Sequence, residues 1–324
     1  MYTHQELTDL FKQFLKKEQV VKAPKGLYEP IDYGLKLGGK RMRPTLLLLA
    51  YNLFKDKVED VLYAALAVET YHNFTLLHDD VMDDSDIRRG KPTVHKVWDT
   101  NTAILSGDAM LILAQQYLSK VDNPKFKEAL MEFLKVTMEV CEGQQYDIEF
   151  ETRDDVKEED YLGMIRLKTA VLLASSISIG AILGGASDSD RENLYHFGIN
   201  LGLSFQLQDD LLDVYGDPKV FGKKLGGDIV SNKKTFMFIN AFERANSKQR
   251  AELSRWVDAS TFDPDAKIEA VRKIYDDINI KKVCEDKMME FYSTAEAYLD
   301  KVDVEDSKKN ELKRYMGFLM NREL

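Results

Sequence analysis

The chain has 324 residues with a formal net charge of −10, 44% hydrophobic residues and 31% charged residues. This apolar content excludes intrinsic disorder, and the acidic balance argues against non-specific nucleic-acid binding, which requires a basic surface. The two cysteines, Cys141 and Cys284, are too few and too far apart in sequence for a disulfide framework or a zinc site.

Helical patterns follow one another along the chain. Only seven prolines occur and none lies between Pro124 and Pro218, so this stretch is predicted to hold long helices. The spacing of apolar residues predicts helices over 62–77, 203–214 and 280–302. Short breaks with glycine or proline separate such segments, and no linker rich in Ser, Gly and Pro divides the chain. The sequence therefore predicts a single all-α domain.

One uncharged segment, residues 170–186, invites a membrane interpretation because Gly180 and Gly184 have the GxxxG spacing of membrane helices. It is at the short limit for a span and contains three serines, so a helix buried in a large bundle is the preferred interpretation. The polar N-terminus lacks the apolar region of a secretory signal. A cytoplasmic protein without a membrane span is therefore expected.

Two aspartate-rich motifs of the form DDxxD lie about 130 residues apart. They comprise Asp79, Asp80 and Asp83 in the first and Asp209, Asp210 and Asp213 in the second. In each motif the first and last carboxylates share one helical face, where like charges destabilise a helix by about 0.2–0.5 kcal/mol per pair. Because both runs interrupt apolar helices, a bound cation is favoured over a solvated acidic face. Mg²⁺ suits this arrangement, since it binds one or two carboxylates together with water and substrate phosphates.

Basic residues accompany these motifs in segments marked by glycine or proline. Lys40 and Arg43 lie in the segment 38–44, where Pro44 is predicted at a first helical position. Further basic residues follow the first motif (Arg88, Arg89 and Lys91) and the second (Lys223, Lys224, Lys233 and Lys234). Cations beside the N–H groups of a helix start can bind an anion. These features predict a substrate with a diphosphate head and an apolar tail, and catalysis by charge stabilisation and positioning.

Six segments, in order along nearly the whole chain, resemble the trans-isoprenyl diphosphate synthases, the polyprenyl synthetase family. They are GGKRMRP, HNFTLLHDDVMDDSDIRRGKPTVHK, RLKTA, FQLQDDLLD, FGKKLGGDI and NKKT. The resemblance implies one polyprenyl synthetase domain over residues 1–324, an all-α bundle of ten or more helices around a central apolar cavity, and a homodimer. It implies head-to-tail condensation of isopentenyl diphosphate with an allylic diphosphate (dimethylallyl, geranyl or farnesyl) to a short-chain all-trans product.

The resemblance also implies a role for each matching residue. Mg²⁺, three ions per active site, would be held by Asp79, Asp80, Asp83, Asp209, Asp210 and Asp213. Isopentenyl diphosphate would be bound by Lys40, Arg43, His72 and Arg89, and the allylic diphosphate by Arg88, Lys168, Lys223 and Lys233. Thr169 and Gln206 would face the developing carbocation and, with Lys168, form the catalytic set.

Product length is predicted from the residues before the first motif, which line the floor of the tail pocket in this family. Phe74, five residues before Asp79, matches the aromatic plug of short-chain enzymes. Tyr71 lies eight residues before Asp79, a distance of roughly 12 Å along the helix. The motif lacks the two-residue insertion of many bacterial farnesyl synthases. This combination resembles archaeal-type geranylgeranyl synthases, so a C20 product is favoured, with C15 next. Core packing of Phe74 is the other interpretation, because a helical wheel places it about 140° from Asp79.

Two other functions are compatible with part of the pattern. A class I terpene cyclase shares the fold and one DDxxD motif, but it has no isopentenyl diphosphate site and its second metal motif has Asn/Ser/Glu character. A non-catalytic subunit of a heteromeric prenyl synthase usually loses aspartates. Both motifs are intact here, which favours a catalytic prenyltransferase.

Overall fold

The computed structural model describes residues 1–217 and 225–320. In these ranges the regular structure is helical except for one hairpin of strands β1 (Ile87–Arg88) and β2 (Lys91–Pro92). The α-helices are α1 (His4–Lys17), α2 (Lys25–Lys36), α3 (Met42–Asn52), α4 (Leu62–Met82), α5 (Val94–Val97), α6 (Thr100–Leu118), α7 (Phe126–Thr152), α8 (Glu158–Ile165), α9 (Val171–Gly184), α10 (Asp188–Tyr215), α11 (Gly227–Val230), α12 (Phe236–Arg244), α13 (Ser247–Asp258), α14 (Pro264–Asp277), α15 (Ile280–Asp300) and α16 (Asp306–Met320). A 3₁₀ turn (Val58–Val61) precedes α4, and a π-helical turn (Arg166–Ala170) joins α8 to α9.

The predicted all-α class is confirmed. The proline-free stretch contains the two longest helices of the described residues, α7 with 27 residues and α10 with 28. The segments predicted as helices at 62–77, 203–214 and 280–302 are α4, part of α10 and α15. Helix α4 continues past the predicted end through Met82, so that it includes the start of the first aspartate motif.

The uncharged segment is a core helix, as predicted. Residues Glu158–Gly184 form one continuous helix, long and apolar enough to cross a membrane, but 83% of its most apolar window is buried within the protein. A Cβ added at Gly180 would overlap the carbonyl oxygen of Leu47 in α3. The small residue at this position therefore permits close packing of two helices in the protein interior.

Contacts between residues group the chain into two compact units. Unit 1 comprises Met1–Leu134, Ser175–Tyr195 and Val302–Leu312, and unit 2 comprises Lys135–Ala174, His196–Lys301 and Lys313–Leu324. The single domain over residues 1–324 stays a prediction.

Helix α4 is the central helix of unit 1. It packs against α1, α2, α3, α5 and α6, and its residues 64–71 are all buried. An apolar helix enclosed on so many sides has little freedom to shift, because a packed core resists displacement. The polar residues at its C-terminal end are consequently held in fixed positions.

Glycines in unit 2 bring two helices against the π-helical turn. A Cβ at Gly143 of α7 would overlap the backbone nitrogen of Lys168, and one at Gly202 of α10 would lie 2.6 Å from the Cα of Ala170. Both approaches are closer than any side chain allows. Single π-helical turns are rare in proteins, and those that occur are often found at functional sites. Lys168 and Thr169, which lie in this turn, are therefore candidate functional residues.

Candidate active site

The first aspartate motif lies at the C-terminal end of α4. The N–H of Asp83, the residue that caps the helix, donates to the carbonyl oxygen of Asp79 at 2.9 Å. The carboxylate of Asp79 is partly exposed and that of Asp83 is exposed. A helix C-terminus already carries partial negative charge. Two carboxylates at this position therefore create an electrostatic site for a cation.

The middle aspartate of the motif has a different environment. Asp80 is only 2% exposed, and its Oδ1 accepts a hydrogen bond from Nε of Arg88 at 2.7 Å. Burial raises the pKa of the Asp80 carboxyl above its ordinary value, although the charge of Arg88 opposes that rise. Asp80 thus holds Arg88, and the role of Asp80 as a metal ligand stays a prediction.

A tight hairpin directs two consecutive arginines to different partners. Arg89 and Gly90 form the two-residue loop with φ values of 53° and 74°, as a type I′ turn requires. Arg88, before the loop, pairs with Asp80, whereas Nη1 of Arg89 donates to the carbonyl oxygen of Gly38. A Cβ at Gly39 would lie 2.6 Å from Cζ of Arg89. Arg89 therefore packs directly on the glycines that precede Lys40.

The segment 38–44 differs from its prediction in one respect. Helix α3 begins at Met42, so Pro44 occupies the third helical position and the predicted first position is wrong. The start of the helix is set by Arg41, which has a φ of 54° and a buried guanidinium. This guanidinium forms an ion pair with Glu69 of α4 and donates to the carbonyl oxygen of Leu35 at 2.5 Å. This buried pair, which no sequence motif indicates, ties the basic segment to α4.

His72 and Arg43 are in direct contact, as their shared predicted role requires. Nη1 of Arg43 lies 3.1 Å from Nε2 of His72. Because arginine only donates, Nε2 must accept, and the neutral imidazole carries its proton on Nδ1. Desolvation, followed by the positive charges of Arg43 and Arg89, holds the pKa of His72 well below its ordinary value.

The second aspartate motif lies in the last two turns of α10, which ends at Tyr215. Asp209 and Asp213 are both partly exposed. Oδ2 of Asp213 also accepts the N–H of Asp228 at 3.0 Å, and the Asp213 carbonyl oxygen accepts from Gly226 at 2.7 Å. Asp213 therefore stabilises the start of α11. As in the first motif, carboxylates concentrate at the negative end of a helix.

A hydrogen-bond chain connects the middle aspartate of this motif to the two polar residues predicted to be catalytic. Oγ1 of Thr169 donates to Oε1 of Gln206 at 3.1 Å, and Nε2 of Gln206 donates to Oδ1 of Asp210 at 3.1 Å. The hydroxyl of Tyr161 donates to the other oxygen of Asp210. Burial and the nearby charge of Asp228 raise the pKa of Asp210. The chain fixes the orientation of the Gln206 amide and of the Thr169 hydroxyl.

Two predicted diphosphate-binding lysines of unit 2 contact a residue that the sequence analysis did not select. Nζ of Lys168 lies 2.5 Å from Oδ2 of Asp147, and Nζ of Lys233 lies 3.9 Å from the same oxygen. The only sequence signal is that Asp147 follows Gly143 by one helical turn on α7. Lys223 lies outside the described residues.

The carboxylates suit a cation that is shared with a ligand. Among residues 1–217 and 225–320 no group of three His, Cys, Asp or Glu side chains forms a complete protein cage for a metal. Mg²⁺ does not require one, because it binds through one or two carboxylates and retains positions for water and phosphate oxygens. The hard oxygen donors of Asp79 and Asp83, and of Asp209 and Asp213, fit that chemistry.

The aromatic residues before the first motif form a cluster of tilted and edge-on rings inside unit 1. The ring centroid of Tyr71 lies 5.4 Å from that of Phe74 and 5.6 Å from that of Phe133 in α7. The ring centroids of Phe74 and His78 are 4.8 Å apart. Tyr71 is fully buried and Phe74 is 8% exposed. The order Phe74, Tyr71, Phe133 therefore runs inward from the residue nearest to the aspartates.

Comparison with known proteins shows the family of this chain. The model of the polyprenyl synthetase family matches residues 24–278. The chain belongs to the polyprenyl synthetase family. The resemblance inferred from the sequence motifs is thereby confirmed, and so is the class of enzyme, a trans-prenyltransferase.

Several polyprenyl synthetases are similar to the chain over almost its full length. A geranylgeranyl pyrophosphate synthase from Geoglobus acetivorans and a geranylfarnesyl diphosphate synthase from Natronomonas pharaonis are each 36% identical, with 98% of this chain and 96% of the relative covered. A crystal structure of a geranylgeranyl pyrophosphate synthase aligns with a TM-score of 0.95 at 42% identity, over 100% of both chains. A geranylgeranyl pyrophosphate synthase from Corynebacterium glutamicum, complexed with isoprenyl diphosphate and magnesium, aligns with a TM-score of 0.87 at 27% identity, over 98% of both chains.

The depressed pKa of His72 predicts how stability changes with pH. Below the ordinary histidine pKa of about 6.5, the unfolded chain binds a proton at His72 that the native protein does not. Stability is therefore fully present above that pH and is lost as the pH falls, by about 1.4 kcal/mol per pH unit for this residue. In His72→Gln this contribution is absent, so the free energy of unfolding declines less steeply between pH 6.5 and 5.

Urea denaturation of both proteins across this pH range measures the difference. His196→Gln is the matched control, since it removes another imidazole from the chain. An identical pH dependence in the wild type and His72→Gln would contradict the assignment of a neutral His72.

Proposed function

We propose that this polyprenyl synthetase condenses isopentenyl diphosphate with an allylic diphosphate to give geranylgeranyl diphosphate, with magnesium as cofactor. The observation that carries the proposal is the position of both aspartate pairs in the C-terminal turns of helices, where their charges are unfavourable and a cation offsets them. Each motif is also accompanied by basic side chains, which a diphosphate substrate needs. Prenyl synthases of the same family are named for this type of product.

Isopentenyl diphosphate is assigned to the basic residues of unit 1. Arg89 packs on the glycines before Lys40, and Arg43 contacts His72. The neutral state of His72 leaves its Nδ1 proton available as a donor, while the arginines and Lys40 supply the positive charge. The buried pair of Arg41 and Glu69 keeps this segment fixed on α4, so the site is organised before the substrate binds.

The allylic diphosphate is assigned to Arg88, Lys168, Lys233 and Lys223. Asp80 holds the guanidinium of Arg88 and Asp147 contacts two of the lysines. We assign three Mg²⁺ ions per active site to the six motif aspartates, with Asp79, Asp83 and Asp209 as the principal ligands. When bound, Mg²⁺ neutralises diphosphate charge and so favours departure of the diphosphate.

In the proposed reaction the allylic C–O bond breaks first, and the diphosphate leaves with the electron pair. The oxygens of Thr169 and Gln206 face the allylic cation, and the Thr169 proton is directed away because it is donated to Gln206. The double bond of isopentenyl diphosphate then attacks the cation and forms the new C–C bond. The released diphosphate takes the proton whose loss restores a double bond.

The cluster of aromatic rings formed by Phe74, Tyr71 and Phe133 supports a C20 product, with C15 as the next candidate. Phe74 and Tyr71 close the pocket below the first motif in this proposal, and their rings are in contact. Overall identity does not decide the length, because the geranylgeranyl and geranylfarnesyl relatives are equally similar to the chain. The assignment of a C20 product therefore depends on the volume of the Phe74 and Tyr71 side chains.

Shortening Phe74 is expected to lengthen the product. Phe74→Ala removes the aromatic ring nearest to the aspartates but leaves the ring of Tyr71. The pocket then has room for one further isoprene unit, so C25 becomes a major product. Tyr71→Ala combined with Phe74→Ala adds more, limited by the ring of Phe133. Mass spectrometry of the dephosphorylated products measures this. Phe11→Ala, which truncates a buried ring of α1, controls for loss of stability, and an unchanged product from Phe74→Ala would remove Phe74 from the floor.

Loss of one aspartate from either motif is expected to abolish condensation while the fold is retained. Asp79→Ala and Asp209→Ala should each lower kcat by about 10²–10³-fold, the scale seen when a stabiliser of transition-state charge is removed. Incorporation of labelled isopentenyl diphosphate at saturating Mg²⁺ measures the activity, and circular dichroism verifies the fold. Asp277→Ala, at an exposed position of α14, is the matched control; near wild-type turnover of either motif variant would refute the metal assignment.

A homodimer in the cytoplasm completes the proposal. Helix α6 exposes Leu105 and Ile112 on one face, and α7 exposes Met131 and Met138 with the same seven-residue spacing. Apolar stripes of this kind mark interaction surfaces, and a second copy of the chain is the proposed occupant. Light scattering is expected to give twice the mass of the 37.2 kDa chain. A monomer, or activity confined to the membrane fraction of a lysate, would contradict this part of the proposal.

A further inference from the structure

Asp147 occupies a position in unit 2 that the roles assigned so far do not explain. It lies on α7 with its side chain 16% exposed, and its Oδ2 is 2.5 Å from Nζ of Lys168. The same oxygen lies 3.9 Å from Nζ of Lys233. The two lysines are 65 residues apart in sequence, yet one carboxylate oxygen brings their ammonium groups together.

The backbone around this contact is also fixed by α7. Gly143, one turn before Asp147 on the same helix face, allows α7 to touch the backbone of Lys168 and Leu167 directly. Lys168 therefore contacts α7 at two points. Its backbone packs against Gly143, and its ammonium group pairs with Asp147. The next residue, Thr169, is held by Gln206. The side chains of Lys168 and Thr169, both in the π-helical turn, are therefore each fixed by a partner.

The Asp147 carboxylate reduces the repulsion between the two lysine ammonium groups. Two ammonium groups that both lie near one atom repel each other, and a carboxylate between them offsets this repulsion. The carboxylate therefore favours an arrangement in which the two ammonium groups lie on the same side of α7. A diphosphate benefits from cations that are already in place, because ordering them on binding reduces affinity.

We propose that Asp147 is a positioning residue for the allylic diphosphate, which sets the ammonium groups of Lys168 and Lys233 before the substrate arrives. This inference rests on the proposed function of the two lysines. It assigns Asp147 no contact with the reacting atoms and no effect on the isopentenyl diphosphate site of unit 1.

The test compares Asp147→Asn, which keeps the shape but removes the charge, with the wild type. KM for the allylic diphosphate is expected to rise about tenfold, whereas KM for isopentenyl diphosphate changes less than twofold. Asp147→Glu, which restores the charge, should recover part of the loss. Glu142→Gln, an equivalent charge change at an exposed position of the same helix, is the control and should leave both constants unchanged.

A double-mutant cycle separates positioning from a general structural role. In a Lys168→Met background, Asp147→Asn should change the allylic KM less than twofold, since its main partner is absent. Additive effects in the cycle, equal increases in both KM values, or a lower allylic KM in Asp147→Asn would overturn the proposal. Thermal denaturation verifies that each variant is folded. A wild-type protein that does not turn over these substrates would instead refute the proposed function.

Discussion

Two groups of carboxylates near helix C-termini determine which other charges this protein needs around them. The first motif lies at the C-terminal end of α4 and the second in the last two turns of α10, towards the terminus where a helix contributes negative partial charge. Cations therefore favour both arrangements, because they offset the repulsion between the carboxylates. The basic segments, the hairpin that directs Arg88 and Arg89, and the lysines around Asp147 all supply positive charge near such an end or hold it in place. In the proposed function, Mg²⁺ would offset the charge of the aspartates and the basic side chains would bind diphosphate.

The two motifs divide their aspartates in the same way. The first and last carboxylates are partly or fully exposed, whereas the middle ones, Asp80 and Asp210, are buried and bonded to protein donors. Asp80 orients Arg88, and Asp210 anchors the chain through Gln206 to Thr169. The middle residue of each DDxxD motif therefore orients a neighbouring polar side chain, Arg88 in the first motif and Gln206 in the second.

Sequence alone predicted the helical class, the long helices and the functional segments, because apolar periodicity and motif spacing are local properties of the chain. It placed Arg43 with His72 and Thr169 with Gln206, pairs that are in contact. It did not select Asp147, since one aspartate on a helix rich in acidic residues carries no signal until folding brings Lys168 to it. The hairpin was missed for a similar reason: its strands are two residues long, too short for an alternating pattern. The roles assigned to the individual residues of the site stay predictions.

We propose that this chain elongates allylic diphosphates to C20 with Mg²⁺. The decisive experiment is incubation of the purified protein with isopentenyl diphosphate and, in separate reactions, dimethylallyl, geranyl or farnesyl diphosphate, with product length read by mass spectrometry. We expect geranylgeranyl diphosphate from each primer that is accepted, and loss of all elongation when the divalent cation is chelated. Absence of elongation with every primer, or a cyclised hydrocarbon in place of a prenyl diphosphate, would contradict it.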